Sequence, residues 1–265
     1  MPTLPLDLAR YPIDDLDGDA ARALIDRCRA QITATGLCLL PGFLPEAQVR
    51  QAVAEADAAM AQAFVKRRGI VAYDEDEIDP ALPGDDPVRT AHRHAMSVVA
   101  YDQIGDDSPI RALYEWQGFA DFLAAVLEQP VFRCADPLIS LVITAMDEGE
   151  EQGWHFDDND FVVSLLLRKP AEGGEFEHVP MMRSDDDPAY ERARRVFAGD
   201  ATEVETAPLA PGTLALFRGR RSLHRVSSVR RRPGRLIALL SYDAEPGMVF
   251  PAQVQRNNVG RSSTA

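Results

Sequence analysis

The second half of the chain consists of short apolar segments separated by Gly and Pro, and this pattern restricts the fold most. From Val131 onward the apolar residues alternate with polar ones or run continuously over a few positions, which is typical of strands and too short for most helices. The segments are residues 131–134, 139–146, 161–168, 174–179, 213–217, 222–229 and 235–242. This pattern predicts a mainly β fold with flanking helices, a double-stranded β-helix of the jelly-roll or cupin-like kind.

The first 130 residues have a different character. Asp19 to Thr35 predicts an amphipathic helix, residues 36–44 a strand that ends in a turn, and residues 45–66 a second helix. We interpret residues 1–130 as a helical buttress with a lid region.

The whole chain, residues 1–265, is interpreted as a single domain whose barrel core spans residues 131–250. Within this core, Tyr190 to Phe197 predicts a short helix between strands. The tail after Val254 is expected to be flexible.

An acidic, Pro-rich segment at residues 73–87 interrupts the first half of the chain. Such a segment buries little and is expected to be a solvated loop, with a lid over a substrate as the alternative. A basic cluster follows it at residues 89–94. Its ordinary interpretation is a surface turn paired with those acids, and its functional interpretation makes Arg93 a clamp for a substrate carboxylate.

His155 and Asp157 are candidates for a metal site. Residues two apart in a strand project to the same side, so both side chains can point together near a strand end. His224 follows at a turn-like stretch, and Arg235 begins an apolar strand. Two imidazoles and one carboxylate can hold ferrous iron on one face and leave positions open. A lone His-x-Asp is common in surface loops, so the hypothesis depends on the four residues together.

These residues belong to a set of motifs that resembles the iron(II)/2-oxoglutarate-dependent oxygenase superfamily. The motifs are Gly-Trp-His-Phe-Asp at 153–157, the runs 161–167, 173–180 and 211–220, Ser-Leu-His-Arg-Val at 222–226 and Ser-Tyr-Asp at 241–243. Within the superfamily, the chain is most similar to small bacterial phytanoyl-CoA-hydroxylase-like enzymes and to the free-amino-acid hydroxylases and halogenases.

The resemblance implies roles for individual residues. It makes His155, Asp157 and His224 the Fe(II) ligands, and it pairs Arg235 with the distal carboxylate of 2-oxoglutarate, with Thr144 as a further hydrogen-bond donor. The cofactors it implies are Fe(II), 2-oxoglutarate as co-substrate and O2. In the halogenases of this group Gly or Ala replaces the carboxylate ligand. Because Asp157 is present here, the resemblance favours hydroxylation.

The resemblance also bears on the substrate. Asp158 matches a position that binds the amino group of free amino acids, although it could equally face solvent or cap a turn. Together, Asp158 and Arg93 would frame an amino acid or a similar zwitterion as a small-molecule substrate.

Other functions stay open from sequence alone. They are desaturation or cyclisation by the same cofactors, oxidation of a carrier-tethered substrate, and a cupin-type metal-binding protein without 2-oxoglutarate. Arg235 discriminates against the last of these, since a cupin site has no need of a guanidinium behind its third ligand.

Composition restricts partners and compartment. The formal net charge of −14 disfavours nucleic acid as a partner, and no stretch of about twenty apolar residues predicts a membrane span. The three cysteines Cys28, Cys38 and Cys134 are sparse, which is typical of a reducing cytoplasm, and the amino terminus has no secretory pattern. We therefore expect a cytoplasmic protein. The sequence leaves its oligomeric state open, with a homodimer among the options.

Overall fold

A computed structural model describes residues 6–263. The helices are α1 Asp19–Thr35, α2 Glu46–Ala59, α3 Pro109–Glu115, α4 Gln117–Leu127, α5 Tyr190–Phe197 and α6 Ala252–Val259. The strands of the first half are β1 Leu37–Leu40, β2 Phe64–Val71, β3 Ala91–Val99, β4 Phe132–Arg133 and β5 Leu141–Met146. Those that follow are β6 Gln152–His155, β7 Val162–Arg168, β8 Glu172–Gly173, β9 Phe176–Val179, β10 Glu205–Thr206, β11 Leu214–Phe217, β12 Leu223–Val226, β13 Val229–Arg231, β14 Arg235–Leu240 and β15 Tyr242–Asp243.

One large antiparallel sheet carries the fold. Its strands follow the order β1-β11-β7-β14-β5-β3-β6-β12-β9-β10, and β2 pairs with the remaining edge of β3. The sheet curls into a barrel of the double-stranded β-helix kind, flanked by a few helices. The predicted fold class is therefore confirmed, and so is the short helix in the core, α5.

Alternation along the central strands separates a helix-facing side from a cavity-facing side. On β14, Leu236, Ala238 and Leu240 belong to a core cluster shared with α1 to α4. Arg235 and Ile237 face a cavity on the other side of the sheet. Because both faces are covered, this strand is apolar almost throughout, as its sequence indicated.

The structure corrects two expectations in the first half of the chain. Residues 45–66 are not one helix, because α2 ends at Ala59 and β2 begins at Phe64. The basic cluster at 89–94 is not a surface turn, because residues from Ala91 onward form β3, which pairs with β2 over eight residues. Two strands of the main sheet thus lie within the expected buttress and lid region.

The carboxyl-terminal segment also differs from expectation. Residues beyond Val254 continue in α6, where Gln255 is buried and its amide donates to the Asp136 carboxylate at 2.6 Å. Asp136 Oδ2 also accepts from the backbone N–H of Phe250. The tail is therefore docked on the barrel. None of the helices within residues 6–263 has the length and apolar character needed to cross a membrane.

Candidate active site

His155, Asp157 and His224 come together at one end of the barrel. His155 ends β6 and pairs directly with His224 on β12. Asp157 follows β6, and its backbone N–H donates to the Gly219 carbonyl at 3.2 Å. The Asp157 carboxylate lies 3.7 Å from His155 Nε2 and 3.3 Å from His224 Nε2. The three side chains can offer ligand atoms that all lie within 4.8 Å of one another, which fits a single metal ion.

Backbone carbonyls orient both imidazoles. His155 Nδ1–H donates to the Gly153 carbonyl at 2.8 Å, and His224 Nδ1–H donates to the Ser222 carbonyl at 2.9 Å. These bonds direct the Nε2 atom of each ring toward Asp157, an arrangement common around metal-ligating histidines. The side-chain amide nitrogen of Gln152 also lies 3.1 Å from His155 Nε2.

The protonation states also suit a cation. Burial, and then the neighbouring His224, lowers the pKa of His155 to about 3, so this imidazole is neutral at physiological pH. Burial opposes ionisation of Asp157, but the imidazoles of His224 and His155 hold its pKa below its usual range. The site thus presents a neutral imidazole in His155 and an ionised carboxylate in Asp157, the protonation states that a metal requires of such ligands.

Arg235 and Thr144 line a cavity of about 300 Å³ that also includes Asp157 and His224. The Arg235 side chain is 3% exposed, and within residues 6–263 it makes no hydrogen bond or ion pair. Burial lowers its pKa to about 10, with Glu175 acting in the opposite direction. An unpaired buried guanidinium is costly unless it meets an anion, and its planar fork matches a carboxylate.

The two residues expected to contact a substrate lie in different places. Asp158 is exposed and lines the cavity, and its carboxylate has no partner within the described part of the chain. Arg93 points away from the site, since its guanidinium donates to the Gly149 carbonyl at 2.5 Å. Its neighbour His94 faces inward, with its ring 5.3 Å from that of His155. The structure therefore brings Asp158 to the site and leaves Arg93 outside it.

Sequence reasoning missed two histidines beside the site. All five histidines of the chain lie on β3, β6, β12 and β9, which are adjacent strands of the sheet. His94 and His178 flank the metal-binding pair, and His178 lies directly opposite His224. Burial lowers the pKa of His94 to about 2 and that of His178 to about 4, so both side chains beside the site are neutral. The sequence offered one signal for His94. It stands two residues before the apolar Met96, so the two side chains share one face of the strand.

The fold is shared with solved oxygenases. The chain is 15% identical to the carbocyclase SnoK from nogalamycin biosynthesis, with a TM-score of 0.58 over 90% of this chain and 93% of that one. An oxidoreductase of the 2OG-Fe(II) oxygenase family from Burkholderia pseudomallei is 18% identical, with a TM-score of 0.53 over 84% and 92% of the two chains. A prolyl-4-hydroxylase from Pseudomonas putida is 14% identical, with a TM-score of 0.51 over 82% and 97%.

Comparison at the sequence level gives the family. A search of curated proteins found no match to the chain. The family model HalD, Halogenase D, matches residues 20–252, a span that includes the three candidate ligands and Arg235. This match confirms the expected relation to the halogenase and hydroxylase group, and the chain belongs to the Halogenase D family.

Proposed function

We propose that this protein is an Fe(II)- and 2-oxoglutarate-dependent dioxygenase that hydroxylates an unactivated C–H bond of a small free substrate. The substrate is an amino acid or an amino-acid-like metabolite, and the co-products are succinate and CO2. The observation that carries the proposal is the buried, unpaired guanidinium of Arg235 in the same cavity as the His155, Asp157 and His224 group.

The residues present fit both cofactors. Two imidazoles and a carboxylate are the donor set of ferrous oxygenases and leave positions for other ligands. Arg235 would bind the distal carboxylate of 2-oxoglutarate, and Thr144 pairs directly with Ile237, two residues along β14 from Arg235, so its hydroxyl can support that anion. Bound iron and 2-oxoglutarate would supply the oxidising chemistry, and the chain would position the substrate.

Asp157 favours hydroxylation within a family described as halogenases. A halide needs a metal position that no protein carboxylate occupies. Here the Asp157 carboxylate lies 3.3 Å from His224 Nε2 and 3.7 Å from His155 Nε2, close enough for the three side chains to bind one metal ion. Its lowered pKa keeps the carboxylate anionic. The site thus has a complete set of three protein ligands, which leaves the open positions to 2-oxoglutarate and O2.

Charge at the cavity supports a substrate that carries an amino group. Asp158 lines the cavity without a cationic partner. Asp74 lies close by, since burial, and then the charge of Asp158, raises its pKa. An ammonium group would neutralise this excess negative charge, and a cavity of about 300 Å³ suits a small metabolite.

Anaerobic titration with Fe(II) and 2-oxoglutarate tests the cofactor assignment. We expect a weak visible charge-transfer band whose 2-oxoglutarate dissociation constant rises about a hundredfold in Arg235→Met, because a buried charge-assisted contact is lost. Arg230→Met, which removes an exposed guanidinium, is the matched control. No band in folded, iron-loaded wild type would instead favour a cupin-type metal protein.

Product analysis tests the reaction and the substrate class. Free L-amino acids are screened for faster succinate release in the presence of chloride, and the product is weighed by mass spectrometry. We expect a product that has gained one oxygen atom. A chlorinated product would contradict the role given to Asp157, and the absence of any stimulation would contradict the substrate class.

A further inference from the structure

The edge strand β2 carries two cations on the face that it shares with Met96 and His94 of β3, and of these Lys66 is buried and Arg68 is exposed. Lys66 lies directly opposite Met96 on β3, and Met96 lines the active-site cavity. Arg68 lies opposite His94, whose ring contacts His155. Residues that are directly opposite in a sheet share a face, so Lys66 and Arg68 point toward the site.

Neither cation meets an anion within residues 6–263. Lys66 is 9% exposed, and its one hydrogen bond runs from Nζ to the neutral Asn258 Oδ1 at 2.9 Å. Burial, and then the charge of Arg68, lowers the pKa of Lys66 to about 8. Arg67, on the opposite face of the same strand, is instead paired with Glu150 at 3.1 Å. The cations without counter-ions are therefore those that face the site.

The partner of Lys66 comes from the carboxyl-terminal helix. Asn258, on α6, lines the cavity, and its Nδ2 donates to the Val254 carbonyl, which fixes its Oδ1 toward Lys66. Helix α6 follows the region that matches the family model, which ends at residue 252. This chain thus completes its cavity with an element beyond the family match, and that element holds a buried lysine.

The site of 2-oxoglutarate is separate from this cation. Arg235 lies opposite Met146 and Lys66 lies opposite Met96, and the residues next to the two methionines, Ala145 and Ser97, pair β5 with β3. Arg235 and Lys66 are therefore at the ends of one row across β14, β5, β3 and β2. Three strand spacings separate the ends of the row, about 14 Å between the two backbones. A carboxylate bound by Arg235 therefore leaves Lys66 unpaired.

We propose that Lys66, held by Asn258 and assisted by the exposed Arg68, binds the carboxylate of the substrate. This inference rests on the proposed function and replaces Arg93 in the role expected for it. On β6, Gln152 pairs with His94 and precedes the metal-binding group, whereas Asp158 follows it. The cations and Asp158 thus approach the metal-binding group from different parts of the chain, and together they offer the two charges that the ends of an amino acid need.

Acetate, a carboxylate without other functional groups, tests the anion site directly. The anaerobic protein is saturated with Fe(II) and 2-oxoglutarate, and its melting temperature is followed against acetate at constant ionic strength set with chloride. We expect stabilisation by acetate in wild type and in Arg67→Met, and at least a tenfold weaker apparent affinity in Lys66→Met. Equal stabilisation of Lys66→Met and wild type would overturn the proposal.

Turnover with matched substrates tests the orientation. For the free amino acid that most accelerates succinate release, its carboxamide serves as the comparison. We expect Lys66→Met to raise the KM of the acid about ten- to a hundredfold and to leave that of the carboxamide unchanged, with partial rescue in Lys66→Arg. An equal loss for acid and carboxamide would overturn the proposal. If no amino acid is turned over but acetate binding depends on Lys66, the substrate class fails and the anion site stands.

Discussion

At the scale of single residues, Gly219 determines where the ligand Asp157 can lie. A Cβ built on Gly219 would stand 1.7 Å from Asp157 Oδ2, closer than any non-bonded contact allows. The Gly219 carbonyl also accepts from the Asp157 N–H, so backbone and side chain of the ligand both contact this glycine. The turn before β12 therefore has to carry a residue without a side chain at this position.

We expect Gly219→Ala to weaken Fe(II) binding about ten- to a hundredfold, because the methyl group displaces the carboxylate ligand. Anaerobic Fe(II) titration measures the effect, and the melting temperature of the metal-free protein reports on folding. Gly84→Ala is the matched control, since a Cβ there meets nothing within 4 Å. An unchanged Fe(II) affinity in Gly219→Ala would show that Asp157 is not a ligand.

The sequence indicated the positions of some candidate site residues more clearly than those of others, and the reason is physical. His155, Asp157 and His224 belong to motifs, and Arg235 begins an apolar strand, so the strand and the face of each could be predicted. Arg93 belongs to a basic cluster without such a motif, and a shift of one residue along a strand reverses the face. Alternation along β3 turns His94 and Met96 inward and leaves Arg93 outside.

At the scale of elements, the sequence did not reveal the paired strands β2 and β3, because both carry charged residues. Lys66, Arg67 and Arg68 are consecutive and resemble a helix end or a surface, because an edge strand with one solvated face has no apolar run. The strands that are covered on both faces, such as β5 and β14, were predicted closely. A strand that is buried on both faces has a continuous apolar sequence that is easy to recognise, whereas a strand that is buried on one face does not.

The acidic segment between β2 and β3 is docked on the barrel. Glu77 accepts from Arg183 at 2.6 Å and from Arg220 at 3.3 Å, and the Tyr190 hydroxyl donates to its carbonyl. Tyr73 packs on Phe156, which stands between the ligands His155 and Asp157, with 5.1 Å between ring centroids. The segment therefore covers the residues that precede Asp158, and a role as a lid over a substrate stays a prediction.

We expect Glu77→Gln to release this segment, because two guanidinium contacts to one carboxylate are weakened together. Backbone amides of residues 73–82 should exchange with deuterium about ten- to a hundredfold faster, as measured by mass spectrometry. Glu75→Gln removes an exposed carboxylate of the same segment and should leave exchange unchanged. Unchanged exchange in Glu77→Gln would mean that the aromatic contacts alone hold the segment.

At the scale of the whole molecule, the two faces of the sheet have different roles: one packs into the hydrophobic core and the other lines the cavity. Helices α1 to α4 and the outward residues of β5, β7, β11 and β14 form the largest core cluster. Thr144 and Arg235 lie on the other side of two of these strands, β5 and β14, and face the cavity. A buried cation such as Lys66 is consequently a cost to folding that the large core offsets, which is typical of functional sites.

This cost predicts a pH dependence. The pKa of Lys66 is about 8 in the folded chain against 10.5 for a free lysine, so between these values the unfolded chain holds more protons. The free energy of unfolding should therefore rise with pH across this window, by at most about 1.4 kcal/mol per pH unit from this group. Below pH 8 the burial penalty is fully present, and Lys66→Met should be about 1–3 kcal/mol more stable than wild type at pH 7.

Urea unfolding of the metal-free protein at pH 7, 8, 9 and 10 measures the difference between the two proteins. The advantage of Lys66→Met should shrink as the pH rises, while Arg67→Met follows wild type. A Lys66→Met protein that is less stable than wild type at every pH would make the lysine a structural residue.

The docking of α6 also divides the cavity wall between the region that matches the family model and a helix that begins where the match ends. Iron and 2-oxoglutarate would be held by strands inside the family region, whereas part of the wall beside Lys66 is contributed by a helix that follows it. Substitutions on that helix can reshape the chamber without disturbing a metal ligand or a barrel strand. The tail is thus the segment in which a new substrate preference can evolve at the smallest risk to catalysis, and the one to randomise first when a different preference is wanted.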